Sequence, residues 1–158
     1  MIRAKPVDLD IEEISNKVLK EAGLNLALKS IEVETSFEHP AIVHADREMI
    51  ATVIRNLLTN AVKFSYKGGK IVMKGTVSGR KYRLVIKDNG VGMSPDMISN
   101  ILYGSGMIST TGTANEKGTG LGLSVSREFM RENDGVLNIS SEPGNGSEFL
   151  IELPIVKK

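Results

Sequence analysis

The stretch between Asp46 and Phe64 constrains the fold of this chain more than any other segment. Its apolar residues come as adjacent pairs that recur every four residues: Met49/Ile50, Val53/Ile54, Leu57/Leu58 and Ala61/Val62. At 3.6 residues per turn, these pairs form one continuous stripe along a helix. Asp46 is a suitable N-cap, and the turn-forming residues 65–69 end the pattern. The segment therefore predicts a long helix whose apolar face packs against a sheet or another helix.

The remaining patterns mix helix and strand without a regular βαβ repeat. An N-cap at Asp10 opens an amphipathic helix, and Pro95 opens a short one. Strand patterns cover residues 31–35, 41–43, 70–77, 82–88, 136–141 and 148–153, and a last helix covers about 121–132. We therefore expect an α+β fold in one domain of 158 residues: a two-layer α/β sandwich in which helices cover one face of a mixed sheet.

The composition excludes several classes of protein. Twenty Lys and Arg against 19 Asp and Glu give a net charge of +1, which is poor support for a nucleic-acid partner. The absence of cysteine excludes a disulfide scaffold and a cysteine nucleophile, and two histidines leave little for a His-rich metal centre. No apolar run reaches membrane-spanning length, and no export signal opens the chain. We therefore expect a cytoplasmic domain that contacts neither nucleic acid nor membrane.

Three polar residues lie beside the apolar stripe of the long helix. Asn56, Asn60 and Lys63 are spaced by four and three residues, so they project within about 60° of one another. Asparagine is a mediocre helix former, so two of them one turn apart need a reason. A solvated helix edge is one interpretation. The other is a ligand site, because amide oxygens suit Mg²⁺ and a lysine can reach a phosphate.

A second polar feature follows the apolar strand pattern that ends at Asp88. Residues 88–93 read DNGVGM, which places a carboxylate next to two glycines that allow close backbone approach to a ligand. A type I′ hairpin turn around Asn89-Gly90 is the alternative. The nearby Pro95 and the lack of a second strand directly afterwards weaken that alternative.

A third feature, KGTGLGL at residues 117–123, immediately precedes the last predicted helix. Glycines before a helix N-terminus expose free backbone N–H groups to an anion. The spacing matches neither the dinucleotide fingerprint nor the P-loop, and a flexible linker is the alternative.

Taken together and in order, these motifs resemble one known family. The run NLLTNAVKF at residues 56–64 looks like the N box of sensor histidine kinases, residues 88–93 resemble their G1 box, and residues 118–123 resemble their G2 box. PGNGSEF at 143–149 is similar to the glycine motif before their last strand. The resemblance covers about 46–154, with 7–45 as a lead-in. It implies the ATP-binding (Bergerat) fold that histidine kinases share with gyrase, Hsp90 and MutL in the GHKL superfamily.

The resemblance also implies roles for individual residues. Asp88 would accept a hydrogen bond from the adenine amine, and Gly90 and Gly92 would line the purine pocket. Asn60 would hold Mg²⁺ with help from Asn56, and these two residues with Lys63 would form the catalytic set. The implied ATP-binding set is Asn56, Asn60, Lys63, Phe64, Asp88, Gly90, Gly92, Met93, Lys117, Gly118, Thr119, Gly120, Leu121, Gly122, Leu123 and Ser147.

Residues 94–117 would form the ATP lid. The paired phenylalanines and following arginine that are common in this segment of the family are replaced here by ILYGSGM at 101–107. The lid of this chain therefore departs from the usual pattern.

The residue at position 56 separates kinases from hydrolases within the superfamily. Hydrolytic relatives place a glutamate there to activate water, whereas an amide cannot accept a proton at neutral pH. The resemblance thus implies a phosphoryl donor that waits for a nucleophile, a histidine on a helical dimerisation hairpin. His39 precedes a proline and His44 precedes a helix cap, so we expect both in loops or strand edges.

The phosphoacceptor domain is therefore expected outside this chain, in cis in a parent protein, with a response regulator receiver domain downstream. The chain is either an excised catalytic domain or a standalone one; the abrupt start at residues 1–3 favours excision, and we expect no autophosphorylation in isolation. The parent could be membrane-anchored. The alternatives are a serine kinase of the anti-sigma-factor type and a non-catalytic module that senses nucleotides.

Overall fold

The computed structural model describes residues 3–103 and 122–155. Seven strands and five helices are assigned within these two ranges. In chain order they are β1 (Val7–Asp10), α1 (Ile11–Glu21), α2 (Gly23–Leu28), β2 (Glu32–Phe37), β3 (Ile42–Ala45), α3 (Arg47–Phe64), β4 (Lys70–Ser78), β5 (Lys81–Asp88), α4 (Pro95–Tyr103), α5 (Gly122–Glu132), β6 (Val136–Ser141) and β7 (Ser147–Pro154).

The main sheet is mixed, as predicted. Its strand order is β2-β4-β5-β7-β6, with β2 parallel to β4 and the other neighbours antiparallel. Alternate residues of the three central strands are buried, which is the period of a sheet covered on one face. The buried apolar residues are Ile71, Met73, Tyr82, Leu84, Ile86, Phe149, Ile151 and Leu153. The expected α+β architecture is therefore confirmed.

Helix α3 lies in the core as its sequence predicted. Asp46 caps it by accepting a hydrogen bond from the Met49 N–H at 3.0 Å, and all eight residues of the apolar pairs are buried. Burial of each larger aliphatic side chain contributes about 1.5–3 kcal/mol. The helix contacts α1, α5 and β5, so it is the central element of the helical layer.

The N-terminal part contains two elements that the sequence patterns did not reveal. Strand β1 pairs antiparallel with β3 in a separate two-stranded sheet, with Val7 opposite Ala45. Four residues are too few for a strand period, and the partner lies more than 30 residues away. Helix α2 has no buried residue, and Leu24 and Leu28 are exposed, so it lacks the apolar face by which helices are recognised.

The hairpin alternative for Asn89-Gly90 is wrong. Strand β5 ends at Asp88, and the chain continues into α4, whereas the antiparallel neighbour of β5 on that side is the distant β7. No helix within residues 3–103 and 122–155 combines the length and the apolar character needed to cross a bilayer.

Candidate functional site

Three chain segments meet where the DNGVGM run leaves the sheet: the end of α3, the loop after β5, and the β6–β7 turn. A Cβ on Gly90 would collide with the Phe64 carbonyl oxygen, and one on Gly146 would collide with the carbonyl oxygen of Asp88. Phe64 O also accepts a hydrogen bond from the Val91 N–H at 3.0 Å. These glycines are therefore required because the protein's own backbones approach one another closely.

Gly92 is also required by the protein's own backbone. Its φ of 71° lies in the left-handed region, and an added Cβ would collide with the Glu142 carbonyl oxygen. The sequence interpretation linked the glycines of this loop to a ligand. Packing within the protein is already sufficient to explain them, and their contact with a purine stays a prediction.

Asp88 is the buried carboxylate of this site, with 1% of its surface exposed. Its Oδ1 accepts hydrogen bonds from the N–H groups of Gly90 at 2.9 Å and Ser147 at 3.2 Å. Its Oδ2 is buried and has no hydrogen-bond partner among the described residues. Burial raises the pKa of Asp88 to about 6, although both backbone hydrogen bonds act in the opposite direction. A buried acceptor without a donor is costly, so Oδ2 suits a ligand that brings an N–H group.

A pair of serine hydroxyls stands next to Asp88, across the β6–β7 turn. Ser141 Oγ lies 2.8 Å from both the Gly146 carbonyl oxygen and Ser147 Oγ, and it accepts from the Met93 N–H at 2.7 Å. A carbonyl can only accept, so the Ser141 proton goes to Gly146, and Ser147 must donate to Ser141. Ser147 therefore offers only lone pairs to any further partner.

Ser141 is a residue that the sequence interpretation missed. No local pattern marks it, because its place opposite Ser147 follows from the register of the β6–β7 hairpin and its hydrogen bond with the Met93 N–H joins distant segments.

The two asparagines of α3 use their amide nitrogens within the protein. Asn56 Nδ2 donates to the Gly122 carbonyl at 3.0 Å and to Ser126 Oγ at 3.1 Å, which joins α3 to α5. Asn60 Nδ2 donates to the Asn56 carbonyl at 2.8 Å. Both side chains are partly buried. In each amide the oxygen is consequently the atom left for a ligand, so the solvated-edge interpretation is wrong for Asn56.

These amide oxygens fit a magnesium ion. No cluster of three or more His, Cys, Asp or Glu side chains suited to a metal exists within residues 3–103 and 122–155. Mg²⁺ retains several waters and takes few protein ligands beside substrate phosphates, so it does not require such a cluster. Asn60 Oδ1 and Asn56 Oδ1 are the atoms that would hold it.

Lys63 and Phe64 pack together at the end of α3. Lys63 is 7% exposed, and its Nζ lies 5.2 Å from the centroid of the Phe64 ring, within range of a cation–π interaction. Phe64, Met93 and Leu123 are buried in the core. Their predicted roles beside a nucleotide, and that of Lys63 at a phosphate, stay predictions.

Part of the predicted site lies outside the described residues. This applies to most of the predicted lid and to Lys117, Gly118, Thr119, Gly120 and Leu121. The lid is described up to Tyr103, at the end of α4. Gly122 opens α5, and a Cβ there would lie 3.5 Å from Asn56 Cγ, an ordinary contact.

Neither histidine lies on a helix, as expected. His39 is exposed in the loop after β2, where its Nε2 lies 2.5 Å from Glu12 Oε1, and this hydrogen bond raises its pKa. His44 belongs to β3 and lies 3.2 Å from Asp8. Both imidazoles are paired with carboxylates at the surface.

Comparison with known proteins gives a consistent result. Residues 45–157 match the model of the histidine kinase-, DNA gyrase B- and HSP90-like ATPase family. Sporulation kinase C of Bacillus subtilis (strain 168) is 31% identical over 147 residues, which are 92% of this chain and 33% of that protein. The catalytic domain of histidine kinase ThkA superposes with a TM-score of 0.81 at 25% identity, covering 95% of both chains. Full-length ShkA in complex with AMPPNP gives a TM-score of 0.80 at 26% identity, covering 99% of this chain and 32% of that one.

The chain belongs to the histidine kinase-, DNA gyrase B- and HSP90-like ATPase family. Within that family it is a catalytic, ATP-binding domain of the sensor histidine kinase type. It spans about a third of the length of sporulation kinase C.

Proposed function

We propose that this domain binds Mg-ATP and donates the γ-phosphoryl group to a histidine on a separate helical phosphoacceptor domain. The observation that carries the nucleotide binding in this proposal is Asp88 Oδ2, which is buried and has no hydrogen-bond partner among the described residues. The AMPPNP in the ShkA structure, an imido analogue of ATP, supports a nucleotide of this class.

The position of Asp88 favours adenine over guanine. The exocyclic amine of adenine would donate to Oδ2, which then loses its cost as an unpaired buried acceptor. Guanine presents a carbonyl oxygen at the equivalent place, so two acceptors would face each other. Such a mismatch is the kind of difference by which a polar pocket rejects an analogue.

The polar edge of α3 would serve the phosphates. Lys63 supplies a cation, and the oxygens of Asn60 and Asn56 are oriented by the hydrogen bonds of their nitrogens. Bound Mg²⁺ would neutralise charge on the phosphate oxygens. The residues of this chain thus bind and orient the nucleotide, and positioning is the main contribution to catalysis in phosphoryl transfer.

Asn56 supports transfer to a protein group over hydrolysis. Its amide cannot act as a general base, and its Nδ2 is held by Gly122 and Ser126. The nucleophile would come from a phosphoacceptor histidine in cis in the parent protein, and a response regulator receiver domain would then take the phosphoryl group. The isolated domain is not expected to phosphorylate itself, since neither of its histidines lies on a helix: His39 is in the loop after β2 and His44 is in β3.

Transfer is tested by incubating the domain and labelled ATP with a helical hairpin that carries a phosphoacceptor histidine. Acid-labile, base-stable phosphate on the hairpin is expected, with much less after Asp88→Asn and none when the acceptor histidine is replaced. Acid-stable phosphate on an added protein substrate would instead indicate a serine kinase. Tight ATP binding with transfer to neither would indicate a nucleotide-sensing module.

A further inference from the structure

All four backbone carbonyls in the last turn of α3 have hydrogen-bond partners. A helix end leaves four backbone carbonyls without partners inside the helix. Ala61 O accepts from the N–H of Ser65 at 3.1 Å and from its Oγ at 2.6 Å, and Phe64 O accepts from the Val91 N–H at 3.0 Å. Val62 O also accepts from the Ser65 N–H at 3.2 Å, and both Val62 O and Lys63 O accept from a side chain that lies far away in the sequence.

That side chain is Lys29, which follows α2. Its Nζ donates to Val62 O at 2.8 Å and to Lys63 O at 3.1 Å, and only 7% of its surface is exposed. Burying an ammonium group is costly unless hydrogen bonds replace its water. The negative end of the α3 dipole favours a cation at this place. The Lys29 carbonyl also accepts from the Gly68 N–H at 2.8 Å, so the loop after α3 is tied to the same residue.

The turn that Lys29 holds carries two predicted nucleotide contacts and touches a third. Lys63 and Phe64 belong to the turn itself. Phe64 O holds the Val91 N–H and packs against Gly90, whose own N–H donates to Asp88 Oδ1 at 2.9 Å. A continuous path of hydrogen bonds and close backbone contacts therefore runs from the Lys29 ammonium to the carboxylate of the purine pocket.

We infer that Lys29 is a positioning residue for the nucleotide site. Its buried ammonium fixes the last turn of α3, so that Lys63 meets the phosphates while the loop after Asp88 meets the base. This inference rests on the proposed nucleotide binding. Lys29 lies outside all four glycine- and asparagine-rich motifs, and only the fold brings it to this turn.

The first test replaces Lys29 by methionine, which has similar length and apolar volume but no donor. We expect the dissociation constant for ADP to rise about tenfold at a temperature where the variant is fully folded, because the loss of charge-assisted hydrogen bonds loosens the turn. Hydrogen exchange of the Val91 amide should also become faster without nucleotide. Lys20→Met is the matched control, since Lys20 is an exposed lysine in the last turn of α1, and it should change neither value.

A double-mutant cycle tests whether Lys29 acts through the turn. Lys63→Met should weaken ADP binding on its own, and adding Lys29→Met to it should cost much less than a further tenfold, because coupled residues are not additive. If the loss of ADP affinity in the double variant equals the product of the two single losses, the inference is overturned. A folded Lys29→Met variant with normal ADP affinity would also overturn it and would leave Lys29 with a role in stability alone.

Two further variants cover the case in which the methionine variant does not fold. Lys29→Arg keeps the charge and donors and should bind ADP within about threefold of the original chain, whereas Lys29→Gln should resemble the methionine variant. Equal affinity of the arginine and glutamine variants would contradict the inference. Absence of ADP binding by the unmodified chain would overturn the proposed function itself, and the inference with it.

Discussion

The candidate site has a purine side, formed by the loop after Asp88 and the β6–β7 turn, and a phosphate side, formed by α3 and the start of α5. The two sides differ in how they are built. On the purine side, backbone packs against backbone, so Gly90 and Gly146 leave no room for a Cβ and Asp88 is sealed at 1% exposure. On the phosphate side, the side-chain amide of Asn56 bridges α3 and α5, and Gly122 has room for a methyl group. Close backbone packing therefore requires glycine on the purine side, whereas packing does not require it at Gly122 on the phosphate side. The base would be recognised by closely packed backbone, and the phosphates by side chains that hydrogen bonds hold in place.

The largest expected effect comes from Gly90→Ala on the purine side, which adds one methyl group. Gly90→Ala forces apart the backbones of Phe64 and the loop, so we expect a loss of about 3 kcal/mol or more in the free energy of unfolding. Gly122→Ala is the matched change on the other side. It should be neutral or stabilise by up to about 1 kcal/mol, because alanine is the better helix former. Urea unfolding measures the change in the free energy of unfolding for both variants. Equal losses would contradict the difference between the two sides.

The second-largest expected effect comes from Asp88→Asn, which should lower ATP affinity without lowering the stability of the fold. Asp88→Asn should lower the affinity for ATP about a hundredfold, because the charged acceptor is lost and an amide N–H₂ can face the adenine amine. The unliganded protein should be at least as stable above pH 6, since a buried charge has been removed. Calorimetric titration and urea unfolding give the two values. Near-normal ATP affinity would contradict the pocket assignment.

The raised pKa of Asp88 adds a pH dependence to the purine side. The folded state binds a proton up to about pH 6 and the unfolded state only up to about pH 4, so the free energy of unfolding should fall as pH rises from 4 to 6. The adenine amine needs the ionised carboxylate. Adenosine affinity should therefore decrease about tenfold per pH unit below pH 6 and be constant above it.

Adenosine is the suitable ligand for this titration, because it has no phosphate that titrates in the range. Asp88→Asn should remove both pH dependences. A pH profile that persists in this variant would assign the titration to another group.

The smallest effect concerns the phosphate side. Asn60→Ala removes one amide oxygen and should weaken ATP binding about tenfold with Mg²⁺ present and much less in its absence. Asn56→Ala should also destabilise the fold by about 1–2 kcal/mol, because its two hydrogen bonds to α5 are lost. ATP titrations of Asn60→Ala with Mg²⁺ and with EDTA distinguish a metal ligand from a structural residue. An equal loss in both conditions would make Asn60 a structural residue.

Local sequence patterns were sufficient where a segment carries its own signal. The paired stripe of α3 and its Asp46 cap, the β4–β5 hairpin and the β6–β7 hairpin all depend on residues close together in the chain. Strand β1 and helix α2 were missed for the opposite reason. One depends on a partner more than 30 residues away, and the other has no buried residue.

The same division holds within the site. The sequence by itself determined the chemical groups: the carboxylate Asp88, the amides Asn56 and Asn60, the cation Lys63 and glycines at fixed spacings. The tertiary structure decided which atoms of Asp88 and Asn56 are available, because the distant Ser147 N–H donates to Asp88 Oδ1 and the Asn56 amide nitrogen donates to Gly122 and Ser126 of α5. It also brought Lys29 and Ser141 to the site. Atoms separated by 30 or more residues meet only when the core closes, and no local pattern specifies which of them will hydrogen-bond.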